Sequence, residues 1–194
     1  MLGGYVDAVV EMGHVLGLTS DSSTESVVNR LVLPALRPWR MARLRPTGRL
    51  LDLGAGNGAF AVASAVLHPY ARITALDRSE RVGAFLSEVA RRLDLSNVEV
   101  VCAQIEKKAP ELSGKFDIVG CRALAAGDDA VRLSAPFVAP GGWLFIWRSR
   151  DQRVPAATAG ALDLEECGRQ DLSDVALPLE LFRFRRPVCP GDDG

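Results

Sequence analysis

The chain has 194 residues, long enough for one well-cored domain with an appendage and too short for two full domains. Hydrophobic residues make up 48% and charged residues 24%, which excludes a disordered chain. A net charge of −1 excludes a strong global pull toward nucleic acid or anionic membrane. The cations are nearly all arginine, 20 against 3 lysines, so a local patch can still make planar contacts to phosphates and bases.

Residues 1–46 read as a helical extension. Val6, Val9, Val10 and the run from Met12 to Leu18 predict one amphipathic helix. Thr24 to Leu36 predicts a second, opened by the cap-forming run from Ser20 to Thr24 and broken up by Pro34 and Pro38. From Arg49 the period changes. Arg49 to Leu53 is a short apolar run ending on glycines, which reads as a buried parallel strand. A helix over Ala59 to Leu67 follows, then a strand over Arg72 to Leu76. Ser79 to Leu93 is a long helix with Val82, Phe85, Leu86, Val89 and Leu93 on one face. Val98 to Cys102 and Phe116 to Cys121 are strands, Asp128 to Val138 a helix, and Trp143 to Trp147 a strand after the turn Pro140-Gly141-Gly142.

Beyond residue 150 the pattern predicts a helix near 153–160. Two strands near 162–166 and 180–186 should pair antiparallel at one edge, with Arg183, Arg185 and Arg186 on the outer face of an edge strand. Strands and helices alternating at this spacing predict a doubly wound α/β domain over 47–188 with a mostly parallel, seven-stranded sheet, and a disordered tail over 189–194. The scattered cysteines and two histidines give no metal-ligand spacing. The first residues carry no basic leader, and the longest apolar stretch, Ala59 to Leu67, is too short for a bilayer. These features lead us to expect a cytoplasmic monomer with no metal and no membrane partner.

The chemistry starts at Leu51-Asp52-Leu53-Gly54-Ala55-Gly56-Asn57-Gly58. Glycines between a strand and a helix let the chain turn tightly and let a ligand approach without meeting a Cβ. Asp77, at the end of the second strand, is placed to take both hydroxyls of a ribose. Gly54, Gly56 and Ala59 also satisfy the loosest dinucleotide pattern. Asp52 decides between the two cofactors: a carboxylate two residues before Gly54 would repel a pyrophosphate, whereas it suits S-adenosylmethionine, whose amino group and sulfonium are positive. Gln104-Ile105-Glu106 follows the third strand; an apolar side chain there covers one face of adenine while its neighbours read the amino group. A loop into the next helix would have the same spacing.

Taken together, the chain from about Leu18 to Arg148 resembles the small-subunit ribosomal RNA guanine-N7 methyltransferases, also called glucose-inhibited division protein B. The similarity is sharpest over Phe85-Leu86-Ser87-Glu88-Val89-Ala90-Arg91 and Leu95-Ser96-Asn97-Val98-Glu99-Val100, and again over Phe116-Asp117-Ile118-Val119-Gly120-Cys121-Arg122-Ala123-Leu124-Ala125. Gly17-Leu18-Thr19 is similar to the family's N-terminal Asn-Leu-Thr. The resemblance implies a Rossmann-like class I methyltransferase sheet, S-adenosylmethionine as cofactor, and cofactor contacts at Gly54, Ala59, Ile105, Glu106 and Arg122. Arg122 would hold the methionine carboxylate or a phosphate.

It also implies ribosomal RNA or the 30S particle as partner, and in-line methyl transfer to guanine N7 without a general base. A methyltransferase for a small molecule or a protein, or a catalytically silent relative, are the alternatives. Departures lie on the substrate side. Ala59-Phe60-Ala61 stands where the family has an aromatic or apolar residue, Pro and Gly; Leu31-Val32-Leu33-Pro34-Ala35 stands in place of His-Phe-Leu-Asp-Ser; Arg148-Ser149 replaces Lys-Gly. For RNA, the candidates are Arg37, Arg40 and Arg43, with Arg45 and Arg49, interleaved with a stacking Trp39, and Arg148 after the fifth strand. A solvated, proline-broken linker would explain the same arginines.

Overall fold

The computed structural model describes residues 1–122, 128–148, 154–170 and 179–184. Seven strands, β1 (Arg49–Leu53), β2 (Arg72–Asp77), β3 (Val98–Cys102), β4 (Phe116–Arg122), β5 (Val138–Trp147), β6 (Leu164–Gln170) and β7 (Leu179–Phe184), form one sheet in the order β3-β2-β1-β4-β5-β7-β6. The first five are parallel, and β7 is antiparallel to both β5 and β6. The crossovers use α4 (Ala59–Leu67), α5 (Glu80–Arg92), α6 (Ile105–Leu112) and α7 (Asp128–Ser134), with α8 (Ala156–Ala161) before β6. No helix among the described residues is long and apolar enough to cross a membrane.

Strand residues alternate between the two faces. Leu50, Ile73, Ala75, Ile118 and Phe145 join one core, and Leu51, Leu53, Leu76, Val119, Leu144 and Ile146 the other. The first core is shared with the extension: Tyr5, Val6, Val9, Val27, Leu31 and Trp39 pack into it with Phe60 and Phe85. Every residue of α4 from Ala59 to Ala65 is buried, because the extension covers the side turned away from the sheet. Small side chains let the helix fit between two layers.

The extension departs from the expected break at its prolines. α1 (Leu2–Ala8) runs into a π-turn over Val9–Gly13. The second helical run starts at α2 (Thr24–Val27), where Ser23 Oγ caps the Ser26 N–H, passes a π-turn over Val28–Val32, and continues as α3 (Leu33–Ala42) through both Pro34 and Pro38. It stops at Arg43, whose φ of 52° is left-handed. Helix α6 is an element not expected from the sequence pattern, which offered only a loop into a helix as the alternative at Gln104-Ile105-Glu106. Its apolar stripe, Ile105, Ala109 and Leu112, is short and only partly buried against the second core, and Pro110 interrupts it. β5 starts at Val138, earlier than expected, because the strand carries Pro140-Gly141-Gly142 within it at a register shift against β4. β6, not β7, is the edge strand, and Arg183 lies over the Trp143 ring at 5.8 Å. Arg185, Arg186, Ser149, the run Ala123-Leu124-Ala125 and the tail over 189–194 lie outside the described residues.

Two residues expected at an RNA surface belong to the core. Trp39 is 7% exposed, stacks on Phe60 at 5.7 Å and 7°, and meets Phe145 edge-on at 5.7 Å, so it has no face left for a base. The Arg148 side chain is 4% exposed and pairs with Glu180, 2% exposed, through Nε at 2.8 Å; Glu180 Oε2 also accepts the Val154 N–H. A charge buried in such a pair cannot reach a phosphate without leaving the other uncompensated. Trp39→Ala, measured by urea unfolding, is expected to destabilise the fold by about 3 to 5 kcal/mol, the range for a large aromatic deleted from a packed interior. A loss below about 1 kcal/mol would return Trp39 to the surface.

Candidate active site

A cleft of about 640 Å³ opens where β1, β2 and β4 end. Its walls bring together Gly54, Asp77, Ile105, Glu106 and Arg122 from the residues singled out in the sequence. They add Gln104 from the same triplet, Arg78 next to Asp77, and Leu133 on α7. Arg78 sits between the acid and the cap of α5, a place the sequence marked without assigning. Leu133 carried no signal, since its helix shows only core periodicity.

Gly54, Gly56 and Gly58 all have positive φ, 70°, 53° and 75°. At Gly58 a Cβ would also meet Leu86 Cδ2 at 2.1 Å, so that glycine serves packing against α5 as well as the turn. The main-chain donors of the loop are largely taken from within. Gly54 and Ala55 both donate to the Leu76 carbonyl, at 2.8 and 3.0 Å, and Gly58 donates to the Ala55 carbonyl at 2.8 Å. Gly56 donates to Asp77 Oδ2 at 3.0 Å, Ala59 to Asn57 Oδ1 at 3.2 Å and Ala61 to Asp52 Oδ2 at 2.9 Å. Six of the eight N–H groups from Gly54 to Ala61 therefore have acceptors inside the protein. A phosphate cradle needs those donors free.

Asp77 accepts the Gly56 N–H on Oδ2 and the Ser79 N–H on Oδ1. A carboxylate offers about four lone-pair sites, so one remains on each oxygen. Arg122, at the end of β4, donates through Nη2 to the Arg30 carbonyl at 2.8 Å, and its Nη1 is buried with no hydrogen-bond partner among the described residues. Burial lowers the pKa of this guanidinium, while Tyr5, Asp52 and Asp21 act the other way. The extension also touches the loop: buried Tyr5 donates its hydroxyl to the Asn57 carbonyl at 3.1 Å, and burial pushes its phenol well above the ordinary range.

The arginine-rich segment is not at the cleft. α3 begins beside the carboxyl ends of the strands, where Trp147 Nε1 donates to the Pro34 carbonyl, and runs toward their amino ends. Leu44 to Pro46 line a hollow with Asp117 and Pro140 to Trp143, at the start of β4 and in the first half of β5. Arg43, Arg45 and Arg49 thus lie about 17 Å from the cleft, the length of a five-residue strand. Arg40, Arg43 and Arg45 are exposed; Arg37 is half-buried, and burial lowers its pKa. Arg49 lies over the Phe116 ring at 5.3 Å.

Asp52 does not face the cleft. It is 2% exposed behind the loop, under the first turn of α4, where its carboxylate caps the helix through the Ala61 N–H. Gly58 and Ala59 are buried there with it. Burial raises the Asp52 carboxyl to about 7, against the Ala61 N–H and the Arg122 charge, which lower it. The folded state then holds a proton that the unfolded chain releases near pH 4, so the stability from this group falls as pH rises from about 4 to about 7. Asp52→Asn is expected to gain on the wild type across that window, by at most about 1.4 kcal/mol per pH unit, in unfolding free energies measured from pH 4 to 8. A difference constant with pH would show that Asp52 is ionised throughout.

The family model described as rRNA small subunit methyltransferase G, GidB, matches residues 1–161. A ribosomal RNA small subunit methyltransferase G of Thermotoga neapolitana is 33% identical over 144 residues, covering 74% of this chain and 61% of its own length. The protein of the same name from Psychrobacter sp. is 32% identical over 140 residues, covering 72% and 61%. The chain thus spans about three fifths of the length of these curated relatives. Among solved structures, a SAM dependent methyltransferase from Aquifex aeolicus superposes with a TM-score of 0.65 at 16% identity, covering 88% of this chain and 97% of that one. The cyclase SpnF superposes with 0.67 at 16% identity, covering 96% of each. Likeness at that identity speaks for the fold alone, a Rossmann-like methyltransferase sheet. By its sequence, the chain belongs to the rRNA small subunit methyltransferase G family.

Proposed function

We propose that the chain is an S-adenosylmethionine-dependent methyltransferase acting on small-subunit ribosomal RNA, with guanine N7 as the acceptor. Beside family membership, the observation that carries this reading is the internally satisfied glycine loop. Six of its eight N–H groups are taken, by Leu76, Ala55, Asp77, Asn57 and Asp52, which leaves a turn suited to a ligand without a diphosphate. The cleft residues fit the adenosyl donor. The remaining lone pairs of Asp77 accept two ribose hydroxyls, Ile105 covers an adenine face with Gln104 and Glu106 beside it, and the buried Arg122 Nη1 takes the carboxylate.

When bound, S-adenosylmethionine supplies an electrophilic methyl group. Guanine N7 presents an in-plane lone pair and has no proton to remove. The protein's task is therefore to hold nucleophile and methyl in line, and such positioning supplies at most about 7 to 11 kcal/mol of the barrier. The walls described above carry two carboxylates and two guanidiniums, enough for binding and orientation. Arg40 and Arg43 serve as phosphate contacts remote from the reacting base. A second reading, a methyltransferase for a small molecule, is favoured by the withdrawal of Trp39 and Arg148 into the core.

Asp77→Asn keeps an acceptor but loses the charge, and is expected to weaken S-adenosylmethionine binding about tenfold by calorimetry. Unchanged affinity would remove Asp77 from the ribose. Incubation with methyl-labelled cofactor and undermethylated 30S particles should put label on the RNA; label that appears only on small molecules favours the second reading. Replacing Arg40 and Arg43 together by Ala should reduce the slope of log affinity for RNA against log salt by about 1.4 to 1.8, with cofactor affinity unchanged. An unaltered slope would exclude both arginines from the RNA path.

A further inference from the structure

Helix α3 carries two prolines four residues apart, and each removes one main-chain donor. Leu33 still bonds the Val28 carbonyl in the π-register, and from there the chain returns to α, where the N–H of residue 34 would bond the Arg30 carbonyl and the N–H of residue 38 the Pro34 carbonyl. Neither N–H exists. Both carbonyls accept instead from side chains at the carboxyl ends of sheet strands: Arg122 Nη2 donates to Arg30 at 2.8 Å and Trp147 Nε1 to Pro34 at 3.0 Å. Arg122 and Trp147 are register partners across β4 and β5. Four residues of helix rise about 6 Å and neighbouring strands lie about 4.8 Å apart, so the two open acceptors meet two adjacent donors.

The turn presenting the first carbonyl is itself braced. Arg30 Nη1 pairs with buried Asp21 at 3.3 Å, and Asp21 accepts from Thr19 Oγ1 at 3.0 Å and from Ser26 Oγ. The Arg30 carbonyl therefore sits on a segment fixed at several points rather than on a fraying end.

We infer that Pro34 and Pro38 are positioning residues: by withholding two helix N–H groups they reserve the Arg30 and Pro34 carbonyls as a socket for Arg122 and Trp147. The socket holds one edge of the Arg122 guanidinium and leaves Nη1 as the donor for the carboxylate of S-adenosylmethionine. This rests on the methyltransferase reading above and adds to it a determinant outside the cleft wall.

Pro34→Ala tests it. The substitution returns an N–H that competes with Arg122 for the Arg30 carbonyl, and it replaces a poor helix former by the best one. The melting temperature should therefore stay level or rise. The affinity for S-adenosylmethionine, measured by calorimetry, should fall about three- to tenfold, the scale of a misdirected charge-assisted hydrogen bond. The affinity for 5′-methylthioadenosine, which has the adenosyl group without the carboxylate, should not change. In an Arg122→Met background, Pro34→Ala should have no further effect on S-adenosylmethionine binding, because the proline acts through that arginine.

Unchanged affinity for S-adenosylmethionine in Pro34→Ala overturns the inference. So does an equal loss for both ligands, a loss of folding, or an additive loss in the Arg122→Met background. Failure of the wild type to bind S-adenosylmethionine overturns the methyltransferase reading itself, and this inference with it.

Discussion

The Leu76 carbonyl accepts the N–H groups of both Gly54 and Ala55, and this pair of bonds ties the end of β1 to the end of β2. With the turn closed there, Gly56 lies over Asp77 and donates to it, and α4 starts directly above Asp52, which takes the Ala61 N–H. The geometry of the acid, the turn and the helix follows from a chain that satisfies its own donors before any ligand arrives. Positive φ at three glycines is what makes the closure possible. The cleft walls then present carboxylate oxygens and guanidinium groups rather than a ring of free amides.

The parallel core was readable because each strand is a short apolar run bounded by turn residues. β1, β3 and α4 lie where the pattern placed them. Helix α6 was not, since its stripe of Ile105, Ala109 and Leu112 is short, only partly buried and carries Pro110 beside it. Pro34 and Pro38 misled for a physical reason: the proline rule holds when the abandoned carbonyl has nowhere to go, and here Arg122 and Trp147 reach it from the sheet. In the cleft, Gly54, Asp77, Ile105, Glu106 and Arg122 were legible from spacing and resemblance. The place of Asp52 was not. A carboxylate two residues before a glycine can face the ligand or tuck under the next helix, and only the backbone path decides between them.

The arginines show the same limit. Clustering around Trp39 made the run from Arg37 to Arg49 candidates for phosphate contact, and its place after the fifth strand made Arg148 another. Glu180, in a strand late in the chain, neutralises Arg148 inside the protein, and the direction of α3 carries the others to the far edge of the sheet. Trp39, read as an exposed platform, fills the space between Phe60 and Phe145. Charge and aromaticity are local properties of a sequence, whereas the face on which they emerge depends on contacts distant in the chain, such as Glu180 for Arg148 and Phe145 for Trp39.

Tyr5, five residues into the chain, holds the Asn57 carbonyl of the glycine turn. A main-chain atom beside the donor pocket is thereby fastened to a helix that also forms part of the outer surface. Thermodynamic linkage then requires reciprocity: a macromolecule that grips the outer side of this helix and alters its seating alters the grip on the small donor by the same factor that the donor alters its own. Any such coupling would pass through a single phenol.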